Sequence, residues 1–377
     1  MTAMQRVVEA RLQRVRLPLV HEFETSSHRK TQLEHILIRL RSADGSVAWG
    51  EIASPSDPFF AAETVDTCWL AAEHYLVPAL LACEWETPAQ AAFSWAGVRG
   101  NNFAKAGVDA AVWALHAQIS GSSLASALGG TRTESSAGVS LGIERTIETL
   151  IGQVEHHLAA GYSRIKLKIR PGWDTVPVAA VRAAFPTLIL QVDANGAYSE
   201  SAENITALCA LDRYDLAMIE QPFAPRDFLA HARLQRLIST ALCLDESIET
   251  VDDLLTAVQL DAARIVNIKV SRMGGLTPAR DAHDAAVLAG LPVWCGGMHE
   301  FGVGRAANLA LCSLPGFSLP SDVSGSDKYY AQDVLTVPII ARQGVVDVPQ
   351  GLGLGVHVDE EFVSAHTSKE VTLHSRG

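Results

Sequence analysis

The chain is poor in several features that mark particular protein classes. Only 6% of its 377 residues are aromatic, so its hydrophobicity rests on Ala, Val, Leu and Ile, the composition of layered α/β proteins more than of aromatic-rich sandwiches. Basic residues are in the minority, 30 Lys+Arg against 42 Asp+Glu, and they form no run. Without a basic surface to neutralise phosphate, no nucleic-acid partner is expected. A small acidic substrate stays compatible, because a local basic pocket can oppose the global field. Cysteine is scattered (Cys68, Cys83, Cys209, Cys243, Cys295, Cys312), with no C-x-x-C and no Cys/His cluster at zinc spacing. Apolar neighbours, as in Leu242-Cys243-Leu244, predict buried free thiols in a reducing compartment. No stretch of 18 apolar residues occurs, and Met1 to Arg16 lacks the apolar core of a signal peptide. These two absences predict a cytoplasmic protein with no membrane partner.

What is present is organised in two textures. Residues 6–53 alternate apolar and polar in short runs around a Ser42-Ala43-Asp44-Gly45 turn, the pattern of an antiparallel meander, and from Glu63 to about Gly129 the period becomes helical, including Ala104 to Ile119. After Gly130 short apolar strands alternate with amphipathic helices. The candidate strands are Ala137–Leu141, Arg164–Ile169, Leu188–Val192, Leu216–Ile219, Leu242–Leu244, Ile265–Val270, Pro292–Cys295 and, more weakly, Phe317–Leu319. Eight such units predict an α/β fold, a parallel β/α barrel rather than an open sheet. The stretch from Ala331 onward fits neither the barrel period nor a tail, and is expected to fold back onto the first domain. The resulting division is an α+β capping domain over 1–131, the barrel over 132–325 and a C-terminal return over 326–377.

Charged residues interrupt the strands in phase. Lys168, Asp193, Glu220, Asp245 and Lys269 follow one another at intervals of 25, 27, 25 and 24 residues, close to one strand, one helix and two loops. Each lies at or near the C-terminal end of its strand, and in a closed barrel those ends share one rim, where active sites sit. A single Asp or Glu in such a place commonly caps the next helix. Capping does not explain five positions in phase, nor lysines ending apolar strands, where an unused amine carries a desolvation cost. Three carboxylates on consecutive strands form an all-oxygen donor set with room for water and a substrate oxygen, which points to Mg²⁺, with Mn²⁺ able to substitute; zinc is disfavoured because no thiolate or imidazole accompanies them. A cation so placed acts as a Lewis acid on a substrate carboxylate. Lys166 and Lys168 share one face of their strand, while Ile165, Leu167 and Ile169 face the helices; Asn267 and Lys269 share an inward face likewise. At about 6.6 Å and an effective dielectric near 20, the two ammoniums repel by roughly 2.5 kcal/mol. That predicts a partly neutral lysine, as a base must be. Lys168 and Lys269, on strands two and six of eight, address opposite faces of a planar intermediate.

This constellation resembles the enolase superfamily, within it the muconate-lactonizing subgroup, and most narrowly the o-succinylbenzoate synthase / N-succinylamino acid racemase family. The resemblance covers nearly the whole chain, through Phe23-Glu24-Thr25-Ser26, Gly50-Glu51, Asn102-Phe103-Ala104-Lys105, Leu128-Gly129-Gly130, Gly138 to Ile143, Asp193-Ala194-Asn195, Glu220-Gln221-Pro222, Asp245-Glu246-Ser247, Lys269 and Gly296-Gly297-Met298-His299-Glu300. It implies that Asp193, Glu220 and Asp245 bind Mg²⁺ with Asn195 and Glu246 in support, that Lys168 abstracts the proton α to a carboxylate with help from Lys166, and that Lys269 stabilises the intermediate or reprotonates it from the other side. Substrate contacts are expected from Thr25, Ser26, Ser140, Met298, His299 and Glu300. The implied activity is dehydration of 2-succinyl-6-hydroxy-2,4-cyclohexadiene-1-carboxylate to o-succinylbenzoate, in menaquinone synthesis. N-Succinylamino acid racemisation is the alternative, with dipeptide epimerase, muconate cycloisomerase and a catalytically silent metal-binding barrel behind it. A homo-oligomer is expected. His299, Phe301 and Ser27-His28 depart from the smaller, aliphatic or Phe-Gly-like residues of the pattern, and both segments are expected to line the substrate pocket.

Overall fold

The computed structural model describes residues 4–24 and 29–376. Three antiparallel strands open the chain: β1 (Val7–Glu24), β2 (Arg29–Ser42) and β3 (Val47–Ile52). The alternation of β2 sends Ile36, Ile38 and Leu40 into a core that β1 fills with Val7, Leu12, Val15 and Leu17. The helix Asn102–Ile119 lies across β3. It approaches closely because both contact points are glycine: a Cβ on Gly50 would overlap the Gly107 carbonyl, and one on Gly107 would overlap Ile52. This helix is buried on nearly every side, as expected of an element packed between two layers.

After a short strand β4 (Glu134–Ser136) come seven parallel strands in sequential order: β5 (Val139–Leu141), β6 (Arg164–Lys168), β7 (Ile189–Asp193), β8 (Ile219–Glu220), β9 (Leu242–Leu244), β10 (Ile265–Ile268) and β11 (Val293–Cys295). Helices separate them and cover the curled sheet. Two boundaries differ from expectation. Of the fourth segment only Ile219 lies in the strand, which continues to Glu220, and Val270 begins a short helix, Val270–Met273, instead of ending a strand. The eighth strand does not form a ladder either. The 317–321 segment joins the two sheet edges through single parallel bridges, Phe317 to Val293 and Ser321 to Ala137. Pro315 precedes it and Pro320 lies within it, and neither has an N–H to donate.

The remaining chain supplies β12 (Val345–Asp347), paired with β4, and β13 (Thr367–His374), antiparallel to β1 on the side opposite β2, giving the first sheet the order β13-β1-β2-β3. All six cysteines are free thiols, four of them buried. Among the described residues no helix is long and apolar enough to cross a membrane.

Candidate active site

The strand register brings the predicted residues to one rim. Lys168 on β6 is the lateral neighbour of Asp193 on β7, and Asp193 of Glu220 on β8. Asp245 and Lys269 follow directly on β9 and β10. Gln221, buried and in a left-handed conformation, ties two of these ends together. Its Oε1 accepts the N–H groups of Asp245 and Ser247 at 3.0 and 3.2 Å, and its Nε2 donates to Ser247 Oγ at 2.8 Å.

Each carboxylate meets a basic side chain. Lys168 Nζ donates to Asp193 Oδ2 and to Asn195 Oδ1, both at 2.6 Å. Lys269 Nζ donates to Asp245 Oδ2 at 2.8 Å, and Arg272 pairs with Asp245 Oδ1 while bonding the Ile248 and Asn267 carbonyls. Lys166 Nζ is 3.1 Å from Glu220 Oε2 and 3.5 Å from Asp193 Oδ2, and Asn267 Nδ2 donates to Glu220 Oε1 at 2.9 Å. Because they are turned onto these partners, no three acidic, His or Cys side chains among the described residues are gathered into a ready-made metal cage. The donor set itself nevertheless fits a divalent cation. Burial, then the charge of Asp193, pushes the Glu220 carboxyl up to about 8, so its charged form is disfavoured without a further cation beside it. Glu246 Oε1 accepts from Asn195 Nδ2 at 2.9 Å, but its buried Oε2 has no hydrogen-bond partner among the described residues. Hard, crowded oxygen donors with one atom unsatisfied are suited to a cation of the Mg²⁺ type.

The lysines stand among carboxylates that come from other strands. Burial taken alone lowers the pKa of Lys166, but Asp322, Glu220 and Asp193 outweigh it and hold the amine well above its ordinary value. Lys166 is therefore the charged member of the Lys166/Lys168 pair, its state set by the carboxylates of other strands. Lys269 is likewise raised, by Asp245 against the effect of its own burial.

The substrate-binding expectations divide. Thr25 and Ser26, with Ser27-His28, lie outside the described residues. Ser140 points to the barrel interior, where its hydroxyl is 3.3 Å from both oxygens of Asp322. Met298 donates its N–H to Glu300 Oε1 at 2.9 Å, and Asn308 Nδ2 reaches the same oxygen at 2.8 Å. Glu300 is thus buried as a brace of its own loop, not presented to the rim. Phe301 is also buried, edge-on to His35 and Tyr330, so it does not line a pocket. His299 has a left-handed backbone, with its ring 4.9 Å from that of Tyr329 and its carbonyl accepting from the Tyr330 hydroxyl at 2.6 Å.

Several functional neighbours escaped the sequence reading. Asp322 and Arg164 pair inside the barrel, at 2.9 Å. Phe60, in the loop after β3, sets its ring centroid 5.1 Å from Lys269 Nζ. Glu51 on β3 crosses to the barrel and accepts the N–H groups of Phe301 and Gly304 at 2.8 and 2.7 Å, anchoring the segment that follows β11.

Comparison with known proteins gives the same picture. The profile described as mandelate racemase / muconate lactonizing enzyme, N-terminal domain, matches residues 7–129, and that described as enolase C-terminal domain-like matches residues 149–362. An o-succinylbenzoate synthase of Geobacillus kaustophilus is 42% identical, with 96% of each chain covered. An N-succinylamino acid racemase of Amycolatopsis is 43% identical, over 97% of this chain and 98% of that one. A solved structure of an enolase-superfamily member from Listeria innocua superposes with a TM-score of 0.96 at 36% identity, covering 99% of this chain and all of the other. The chain belongs to the mandelate racemase / muconate lactonizing enzyme family of the enolase superfamily.

Proposed function

We propose that this protein catalyses the dehydration of 2-succinyl-6-hydroxy-2,4-cyclohexadiene-1-carboxylate to o-succinylbenzoate, with Mg²⁺ held by Asp193, Glu220 and Asp245 and braced by Asn195 and Glu246. The observation that carries this reading is the pair of amines, Lys168 and Lys269, each within 2.8 Å of one of these carboxylates and at the ends of the second and sixth of seven sequential strands. The similarity to relatives named o-succinylbenzoate synthase supports it. The cation supplies Lewis acidity toward a substrate carboxylate. Lys168, as the free amine, takes the α-proton. The Lys168 ammonium then protonates the departing hydroxyl, which leaves as water from the same face and completes the aromatic ring. Lys269, from the other side, holds its positive charge against the delocalised anion of the substrate. Asn195 and Asp193 fix the Lys168 amine at the rim.

Racemisation of N-succinylamino acids is the second reading, favoured by the Amycolatopsis relative and by the two-sided lysines, since Lys269 would then deliver a proton to the opposite face. Steady-state assays of both reactions on the same preparation decide between them. Dehydration with the larger kcat/KM is the expected result, and robust racemisation without dehydration would overturn the first reading. The capping unit of 1–131 with 326–377 closes over the small carboxylate substrate in this proposal. A homo-oligomer is supported by the exposed Leu229, Leu237, Leu255 and Leu288 near or on the outer helices, and a reducing cytoplasmic setting by the free thiols.

A further inference from the structure

Lys166 faces three carboxylates, and the shortest contact is not to the rim trio. Its Nζ is 2.7 Å from Asp322 Oδ2, against 3.1 Å to Glu220 and 3.5 Å to Asp193. The Lys166 side chain is 4% exposed, so water cannot replace a missing anion, and a buried ammonium must keep one close by. Asp322 is itself held firmly. Arg164 Nη2 donates to its Oδ1 at 2.9 Å and to the carbonyls of Pro320 and Ser321, and the Ser140 hydroxyl reaches both of its oxygens. The Asp322 N–H donates to the Cys295 carbonyl at 2.9 Å. Gly138 makes room for this arrangement, since a Cβ there would overlap the Arg164 guanidinium. The Trp294 ring lies beneath both cations, 4.8 Å from Lys166 Nζ and 5.4 Å from Arg164 Cζ.

We propose that Asp322 is a positioning residue: it holds the Lys166 ammonium on the side turned away from the trio and thereby leaves Asp193 and Glu220 free to take a divalent cation. The proposal rests on the reading that Asp193, Glu220 and Asp245 hold such a cation. Without Asp322 the only anions within reach of Lys166 among the described residues are Glu220 and Asp193, so the lysine competes with the metal for the same oxygens.

The test is Mn²⁺ affinity, measured by calorimetry on the full chain without substrate, so that turnover plays no part. Wild type should bind Mn²⁺ and Glu220→Gln should bind it more weakly; equal affinity, or no binding, overturns the cation reading and this proposal with it. With that control in place, Asp322→Asn is expected to weaken Mn²⁺ about ten- to a hundred-fold, the usual effect of losing an outer partner of a metal site. In a Lys166→Gln background the same substitution should change affinity within about twofold, as for independent sites. An equal loss in both backgrounds means that Asp322 acts through long-range charge or general folding, and overturns the proposal while the cation reading stands; so does an Asp322→Asn variant that binds like wild type. If Asp322→Asn does not fold, a crystal structure of the wild type with Mn²⁺ gives the answer. Lys166 should remain hydrogen-bonded to Asp322 and move away from Glu220 and Asp193; a Lys166 that has left Asp322 for the trio overturns the inference.

Discussion

The two halves of the barrel are packed in different ways. Strands β5 to β8 and their helices close around a core of their own, from Val139 to Leu242. Strands β9 to β11 share one continuous core with the first sheet and with the helix Asn102–Ile119. The catalytic candidates are divided along the same line. Lys168 stands on the self-contained half with 29% of its side chain exposed. Lys269 stands on the half fused to the cap, 10% exposed and under the Phe60 ring. One amine is therefore placed by the barrel alone, whereas the surroundings of the other depend on two parts of the chain staying together.

Substitution of the lysines gives the largest expected effects and tests whether the halves differ in role. Lys168→Ala should lower kcat for dehydration by at least about 10³-fold, roughly 4 kcal/mol of barrel-borne catalysis. It should also abolish exchange of the substrate α-proton with deuterium from solvent, followed by NMR. Lys269→Ala should impair dehydration as well but leave that exchange measurable. Loss of exchange in both variants, or unchanged turnover in either, would contradict the division of labour.

The next effect is one of stability and is confined to the fused half. Asp109, on the helix Asn102–Ile119, accepts the Thr277 N–H at 2.9 Å and its hydroxyl at 2.8 Å, so a residue of one layer caps the barrel helix Leu276–Leu288. Burial pushes its pKa up to about 7 and, at Glu51, up to about 8. Between the ordinary carboxylate range near 4 and these values the folded protein keeps protons that the unfolded chain has released. The stability from both groups is thus present at low pH and lost as pH rises through 7 to 8. Hydrogen exchange, corrected for its intrinsic pH dependence, should show the helix Leu276–Leu288 opening more readily at pH 8 than at pH 5, with the helix Ile147–Ala159 unaffected. Asp109→Asn should weaken this response and destabilise the protein by about 1–3 kcal/mol, because a buried donor loses its acceptor. The smallest expected effect is that of Phe60→Ala. A ring over a partly exposed ammonium is worth about 0.5–1 kcal/mol, so KM for dehydration should change about two- to fivefold while α-proton exchange by Lys168 stays as it was.

The sequence was most legible where periodicity and chemistry coincide. The five-residue phase from Lys168 to Lys269 located the rim, because one strand and one helix recur at nearly constant length. The same phase continues to Gly296 and Asp322, 27 and 26 residues further on, but glycine offers no side chain to read, and the segment Phe317–Leu319, bounded by prolines, reads only weakly as a strand. The partners of Lys166 were not legible for a related reason. Its like-charged neighbour lies two residues away in sequence, whereas the three carboxylates that decide its state come from other strands and become neighbours only when the barrel closes. Glu300 was misplaced because alternation ends with Cys295: the left-handed turn at His299 directs the following side chain back beneath its own loop. Arg164, by contrast, was readable in principle, since it heads the same inward series as Lys166 and Lys168.

The pairing of β13 with β1 bears on how the molecule is made. Every strand of the barrel leaves the ribosome before β13 does, and until then β1 is an open edge, with its N–H and C=O groups on one side unpaired. The half of the barrel carrying Lys168 has its own core and is free to fold while the rest is still being synthesised. The half carrying Lys269 rests on a sheet whose last strand is made after every strand of the barrel, so the second amine gains its settled environment later than the first, and a chain that stalls before residue 367 would carry all five rim residues on a sheet still lacking its last strand.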